Sequence, residues 1–396
     1  MDGLFSSTPK LSRHKPLIYE ITSGVIRKKL YLDWVLTHFV KRDMDREMRF
    51  LLWMTLYQVF FMRKAAYHVI DEAVDYAKRE KGQRVANFVN AVLRRSIRER
   101  ADLVLPADPA TRLSVEQSFP LWLVRRWLGR FGPQGVRALL DLLNRTPEFC
   151  LRIDLTRISR EELEARLAHL GIKSRSGRFL KSAVYVDRVG PLLADNLLKE
   201  HLVHIQDESS QLAPVALAPQ AHGRTLDACA GRGTKTGQMA EANPMVRIVA
   251  MDKDGRKLLS VRAASGLIQG DVLKNPFKNQ VFDSILLDAP CSSLGIIRKH
   301  PEIRWRLREA DIARHGALQR DMIEALSRNL KSGGRLVYSV CSFEPEETVE
   351  VVEAVSKTGF MKLQDPLPGL ADGPYFLSLP HVTGMDGFFI AALRKP

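Results

Sequence analysis

The sequence predicts a multidomain chain: an all-α N-terminal domain over residues 1–145, a small α/β unit over 146–200, and a C-terminal doubly wound α/β sheet over 201–396. Three observations predict it. Apolar residues recur at three- and four-residue spacing from Ile18 to about Arg100, the period of amphipathic helices. At Cys150 the pattern changes to a short strand–helix–strand unit. From His201 apolar runs alternate with helical stretches, and three of the four main runs end in an acid or a thiol. That is the pattern of an open α/β sheet, which binds its ligands outside the carboxyl ends of its strands.

Residues 1 to about 16 are polar and read as loose. Then YEITSGVIRKKLYLDWVLTHFV, REMRFLLWMTLYQVFFM, YHVIDEAVDYAKRE and VANFVNAVLRRSIRER read as successive helices. The last keeps Phe88, Val89, Val92 and Leu93 on one side and presents Arg94, Arg95, Arg98 and Arg100 on another, where they suit phosphate contact or a solvated face equally. PLWLVRRWLGRFGPQGVRALLDLLNR adds two helices broken at Gly132-Pro133. In the small unit, FCLRIDLTRIS is a strand, a helix follows Ser159 with Glu162 three residues on, as a capping box requires, and AVYVDRV is a strand.

The sheet strands are RTLDACA, RIVAMDKD, FDSILLDAP and GGRLVYSVC, with GFFIAALRK closing the chain. In ILLDAPCSSLG three apolar residues run into Asp288, Pro290 and Cys291; about 45 residues later RLVYSVCSF delivers Cys341 to a second strand end. The first strand ends in DACAGRGTKT, where Gly231 and Gly233 permit positive φ and close approach of a ligand. Asp252 ends the next strand, placed to accept hydrogen bonds from ribose hydroxyls, and Asp271 is a further acid, assigned to the region of an adenine. A nicotinamide cofactor predicts a third glycine where Thr236 stands, and a phosphate-binding loop predicts Lys-Ser/Thr after glycine where Thr234 precedes Lys235. A nucleoside cofactor without a pyrophosphate remains, which suggests S-adenosylmethionine. Cys229 reads as a small packing residue.

Net charge is +15 and the pI about 9.7. Residues 1–150 hold 26 Lys and Arg against 16 Asp and Glu, and the remainder 34 against 29, so the excess lies in the first part of the chain. An anionic partner, nucleic acid above all, is expected. Cys150, Cys229, Cys291 and Cys341 form no CxxC pair and no zinc pattern, so no metal is expected. No signal peptide and no 18-residue apolar run is visible, which points to a reducing cytoplasm and to no membrane; a monomer is expected. RKHPEIRWRLREADIAR places Arg298, Lys299, Arg304, Arg306, Arg308 and Arg314 around Trp305, a composition suited to RNA backbone contact and base stacking.

Two resemblances follow. REMRFLLWMTLYQVFFM, IDEAVDYAK and ANFVNAVLRR resemble the NusB-type RNA-binding helical domain, over roughly residues 10–140. DACAGRGTKT, LDAPCSSLGIIRKHPEIRW, LVYSVCSFEPEET and GMDGFFIAALRK are similar to the RNA cytosine-5 methyltransferases. Together they resemble the Sun/Fmu/RsmB family, which methylates cytosine in small-subunit ribosomal RNA. The resemblance implies a Rossmann-like class I methyltransferase domain using S-adenosylmethionine, and a substrate that is ribosomal RNA or a small-subunit precursor. It implies Cys341 as nucleophile, Cys291 in product release, and Asp288 between cofactor and base. It implies cofactor contacts from Cys229, Ala230, Gly231, Arg232, Gly233, Thr234 and Lys235 with Asp252 and Asp271. The small unit resembles the family's RNA-contacting extension.

The family loop reads CAAPGGKT; here Gly231, Arg232 and Thr234 replace Ala, Pro and Gly, and Arg232 adds a charge. The span from Asp252 to Asp271 looks shortened to a brief helix and strand. Val340 stands for the family's Thr before Cys341, and Thr348 for the Asn of PEEN. Three other readings stay open: a DNA cytosine methyltransferase, which needs no second strand-end thiol; a cytosine-5 methyltransferase of tRNA or another RNA; and a NusB-like RNA-binding factor without turnover.

Overall fold

The computed structural model describes residues 14–41, 43–370 and 373–396. The expectation for the loose N-terminus lies mostly outside them. The chain forms two compact units, residues 14–144 with 300–306, and 145–299 with 307–396.

The first unit is all-α. Its helices are Lys15–Thr37, Arg46–Phe60, Ala66–Lys81, Gln83–Glu99, Pro109–Gln117 and Leu121–Asn144. The first four match the sequence reading, and Leu32, Val35, Leu52, Leu56, Val89 and Leu93 form their shared core. Asp45 caps the second helix through Glu47 N. Gly132 leaves helical geometry at φ 67°, so the last helix breaks before Pro133 as the Gly-Pro pair predicts. The helix Pro109–Gln117 was not anticipated. It is short, and its start signal is Asp108, which accepts from Thr111 N, followed by Pro109 at the first helical position.

Residues 300–306 belong to this unit, and they correct one expectation. Arg304 is fully buried. Its Nη1 donates to Ser118 O at 3.2 Å and Asn144 Oδ1 at 3.1 Å, and its guanidinium stacks 3.7 Å from the Phe119 ring centroid. Trp305 is half-buried and donates from Nε1 to Ile26 O at 2.7 Å. Arg304 therefore cannot meet RNA phosphate, and the Trp305 indole N–H is already taken. A planar guanidinium on an apolar stem tolerates burial where carbonyls and a ring face receive it, and composition alone does not reveal such a setting.

The second unit holds two sheets. The smaller has order β2-β3-β1-β4, all antiparallel, from β1 (Phe149–Ile153), β2 (Ser174–Ser176), β3 (Ala183–Val186) and β4 (Val203–Ile205). The helix Arg160–His169 starts at Ser159, whose side chain accepts from Glu162 N at 3.1 Å. β4 lies beyond residue 200, in a stretch the sequence reading joined to the following domain; three residues carry too little pattern to show which sheet they enter.

The larger sheet contains β5 (Arg224–Asp227), β6 (Arg247–Asp252), β7 (Gly266–Gln269), β8 (Phe282–Asp288), β9 (Leu330–Val340), β10 (Lys362–Gln364), β11 (Tyr375–Ser378) and β12 (Phe388–Arg394). Its order is β10-β12-β9-β8-β5-β6-β7, with β11 also on β12. Strands β9-β8-β5-β6-β7 are parallel, and β12 joins β9 antiparallel. The middles of its central strands are buried and mostly apolar because both faces are covered. Ile285, Leu287, Leu336 and Tyr338 pack on one face with Ile323 and Val352; Leu286, Val337 and Ile390 pack on the other with Leu212 and Met239. The brief connection between Asp252 and Asp271 is the helix Gly255–Leu258 and β7. The register of β8 on β9 sets Asp288 beside Ser339, so both strand ends open at one level.

Candidate active site

β5 ends at Asp227, which is buried and accepts from Thr236 Oγ1 at 2.6 Å; burial raises its carboxyl to about 6. The loop that follows borders a cavity of about 410 Å³, lined among others by Cys229, Gly231, Asp252, Asp271, Asp288 and Met322. Gly231 sits at φ 56° with nothing within 4 Å of where a Cβ would stand, so its backbone is open to a ligand. Asp252 accepts from Gly231 N and Asp254 N, each at 2.8 Å. Asp271 accepts from Leu273 N at 3.0 Å and pairs with Lys253 at 3.0 Å. Each carboxylate oxygen has a second lone pair, so both acids can still accept from a ribose or an amine. Burial pushes the Cys229 thiol far above its usual range, in keeping with a packing residue. The acids, the open glycine backbone and the apolar floor at Leu273 and Met322 fit S-adenosylmethionine.

Of the stretch Cys229–Lys235, Cys229 and Gly231 line this cavity. Thr234 and Lys235 line a second one instead, and Ala230, Arg232 and Gly233 line neither. Arg232 is exposed. A run of motif residues predicts a common loop, but a helix beginning at Thr234 turns successive side chains in different directions.

The second cavity, about 560 Å³, includes Cys341, Lys235, Asp288, Asp207, Lys299, Asp386 and Phe388 in its wall. Asp288 and Ala289 border both cavities. Lys235 Nζ donates to Asp288 Oδ2 at 2.7 Å, and Ser339 Oγ donates to Oδ1 at 2.8 Å. Cys291 and Cys341 are both free, with sulfurs 3.3 Å apart. The Cys341 thiol is held below its ordinary value by its hydrogen bond from Cys291, against the opposing effect of burial; Ser293 and Lys235 add to the lowering, and Asp288 opposes it. The Cys291 thiol is correspondingly held well above its own, by the same bond and by burial. The two thiols are therefore shifted in opposite directions, Cys341 toward easier ionisation and Cys291 away from it. Gly295 closes the loop: its N–H donates to Cys341 O at 3.0 Å, and a Cβ there would stand 1.9 Å from Gly387 O.

The residues expected at RNA fall into two groups. Arg94 and Arg95 are exposed on the helix Gln83–Glu99. Arg94 donates to Asn90 Oδ1 at 2.8 Å, and Arg95 pairs with Glu99 at 3.1 Å. Lys299 instead lies between Asp207 at 2.8 Å and Asp386 at 2.6 Å. Burial works against its charge, but the two carboxylates outweigh it and hold the ammonium above its ordinary range. Lys299 thus meets two carboxylates within the wall of the second cavity. Arg298 donates to Thr146 O at 2.8 Å and is half-buried.

Sequence reasoning missed Asp207, Asp386, Ser339 and Glu347. Asp386 and Glu347 stand inside motifs already singled out, GMDGFF and PEET, but only packing shows what they hold. Among the described residues no group of three or more His, Cys, Asp or Glu is gathered to hold a metal, and no helix is long and apolar enough to cross a membrane.

A parallel sheet with a glycine loop after its first strand, acids at the next strand ends and a nucleoside-sized cavity defines an α/β S-adenosylmethionine-dependent methyltransferase. Residues 214–394 match the model of the 16S rRNA methyltransferases RsmB/F, residues 4–98 the NusB family, and residues 119–192 the ferredoxin-like domain of RsmF/B-like methyltransferases. The chain is 32% identical to ribosomal RNA small subunit methyltransferase B of Escherichia coli O6:K15:H31, over 97% of this chain and 91% of that one. The chain therefore belongs to the RsmB/F family of rRNA methyltransferases, enzymes that use S-adenosylmethionine. Among solved structures, PH0851 shares its fold with a TM-score of 0.82 at 24% identity, covering 97% of this chain and 91% of that one. A methyltransferase homologue from Pyrococcus horikoshii aligns with a TM-score of 0.63 at 25% identity, covering 74% of this chain and 100% of that one.

Proposed function

We propose that this enzyme methylates carbon 5 of a cytosine in small-subunit ribosomal RNA through a covalent bond between Cys341 and the base. The observation that carries the reading is the sulfur pair: Cys341 lies 3.3 Å from Cys291, in a cavity that shares Asp288 with the cofactor cavity.

Carbon 5 of cytosine is a poor nucleophile. Addition of the Cys341 thiolate to carbon 6 moves the C5–C6 π pair toward ring nitrogen 3, which takes a proton, and the ring becomes an enamine nucleophilic at carbon 5. Asp288, held by Lys235 and Ser339, accepts a hydrogen bond from the protonated nitrogen 3, whose proton comes from solvent, and that protonated ring nitrogen draws electrons from carbon 6. When bound, S-adenosylmethionine supplies the electrophilic methyl group that carbon 5 takes. A base then removes the hydrogen from carbon 5, the C5–C6 double bond returns, and Cys341 leaves as thiolate. Cys291, the thiol of the pair, assists that departure.

The base must leave its stack to reach Cys341, at a cost of a few kcal/mol, which favours a loop or partly unfolded RNA. Arg94 and Arg95 supply phosphate contacts on the helical unit. The enzyme is read as acting as a monomer on ribosomal RNA in the cytoplasm, and light scattering of the purified protein checks the oligomeric state. The test is methyl transfer from labelled cofactor to unmethylated small-subunit RNA, with 5-methylcytosine mapped in the product. Label confined to another base or another position on the ring would refute the reading.

A further inference from the structure

Glu347 is fully buried and lines neither cavity, so it touches neither substrate nor cofactor. Its carboxyl nevertheless meets both thiol loops. Oε1 accepts from Ser292 N at 2.6 Å. Oε2 accepts from Ser292 Oγ and from Ser342 Oγ, each at 2.5 Å. Ser292 directly follows Cys291, and Ser342 directly follows Cys341. All three donors aim at one side chain in a buried interior, where an unmet donor is costly.

The backbone on both sides of this contact is itself held. The Tyr338 hydroxyl donates to the Glu347 carbonyl at 2.6 Å, and Gln319 Nε2 donates to Pro290 O at 2.9 Å, one residue before Cys291. Tyr338 and Gln319 are fully buried. The two loops leave adjacent parallel strands, and strand pairing holds Asp288 beside Ser339 but ends there. Beyond the sheet, Glu347 and the Gly295 N–H on Cys341 O join the loops.

We infer that Glu347 is a positioning residue for the methyl transfer: by binding the residue after each cysteine it sets the spacing of the two sulfurs. This rests on the covalent reading above. The thiol of Cys291 donates to the Cys341 sulfur only while the two loops keep their registration. A shift of about 1 Å would remove that bond, and misplacement on that scale costs roughly a hundredfold in rate. The Glu347 carboxylate is also among the charges that keep Cys291 a thiol, after its bond to Cys341 and its burial.

The experiment compares wild type with Glu347→Ala, Glu347→Gln and Ser342→Ala, the last removing one of the three bonds and least disturbing the fold. Three quantities are read: kcat with saturating RNA, cofactor Kd by calorimetry, and the pH profile of iodoacetamide alkylation at Cys341 by peptide mass mapping. In Glu347→Ala, kcat falls by about a hundredfold, cofactor Kd stays within twofold, and the alkylation midpoint moves to higher pH. Glu347→Gln, which keeps an acceptor for Ser292 N, and Ser342→Ala fall between Glu347→Ala and wild type. Unchanged Cys341 profiles in all three variants, with kcat lost only in proportion to unfolded protein, would overturn the inference. Because alkylation needs no RNA, that failure is distinct from failure of the covalent reading, which would appear as full activity in Cys341→Ala.

Discussion

The sulfurs of Cys291 and Cys341 lie 3.3 Å apart at the ends of adjacent parallel strands, close enough for a thiol on one to hydrogen bond to the other. The two are not interchangeable. The hydrogen bond from Cys291, with Ser293 and Lys235, lowers the Cys341 thiol, and the same bond, burial and the Glu347 carboxylate raise the Cys291 thiol.

Removal of either thiol should therefore fail at a different step. Cys341→Ala abolishes methylation and forms no adduct. Cys291→Ser forms the bond to RNA but breaks it slowly, so a protein–RNA species accumulates that survives denaturing electrophoresis. Free protein alone on such a gel, with methylation intact, contradicts the assigned roles.

Acidity gives a second test. Because the folded protein lowers the Cys341 thiol by a hydrogen bond from Cys291, the Cys341 thiolate forms at lower pH than an ordinary cysteine. Cys291→Ala removes the donor, and the alkylation midpoint at Cys341 should rise. A midpoint that stays or falls shows that Cys291 is not the donor.

The cofactor cavity can be probed apart from the thiols. Asp252→Ala removes a carboxylate facing the cavity and unties Gly231 N and Asp254 N. Cofactor affinity should weaken by at least tenfold, about 1.4 kcal/mol, whereas Cys341→Ala should leave it unchanged. Calorimetry on both variants checks this.

The basic residues divide by burial. Replacing exposed Arg94 and Arg95 by Ala should flatten the salt dependence of RNA binding, by roughly 0.7–0.9 in slope for each phosphate that is no longer neutralised. Arg304→Ala should leave that slope alone and destabilise the helical unit by about 2–4 kcal/mol, by opening a cavity and orphaning carbonyls. Urea unfolding and salt titration of RNA binding separate the two.

Local pattern alone carried much of this molecule. Helical period defined the four helices from Lys15 to Glu99, Gly132-Pro133 fixed a break, and apolar runs ending in Asp227, Asp252, Asp288 and Cys341 located the strands around the cavities. These features are legible because the chemistry lies within a few residues of the signal: a side chain's face follows from its spacing, and a strand end from the turn that follows. What the fold alone decided is which distant groups meet. The basic stretch 298–306 reads as uniform in sequence, yet Lys299 is enclosed by Asp207 and Asp386 and Arg304 lies against Phe119, because pairing and burial depend on residues tens to hundreds of positions away. For the same reason Glu347, one acid among many, is seen to hold two loops only once the strands that carry them lie side by side.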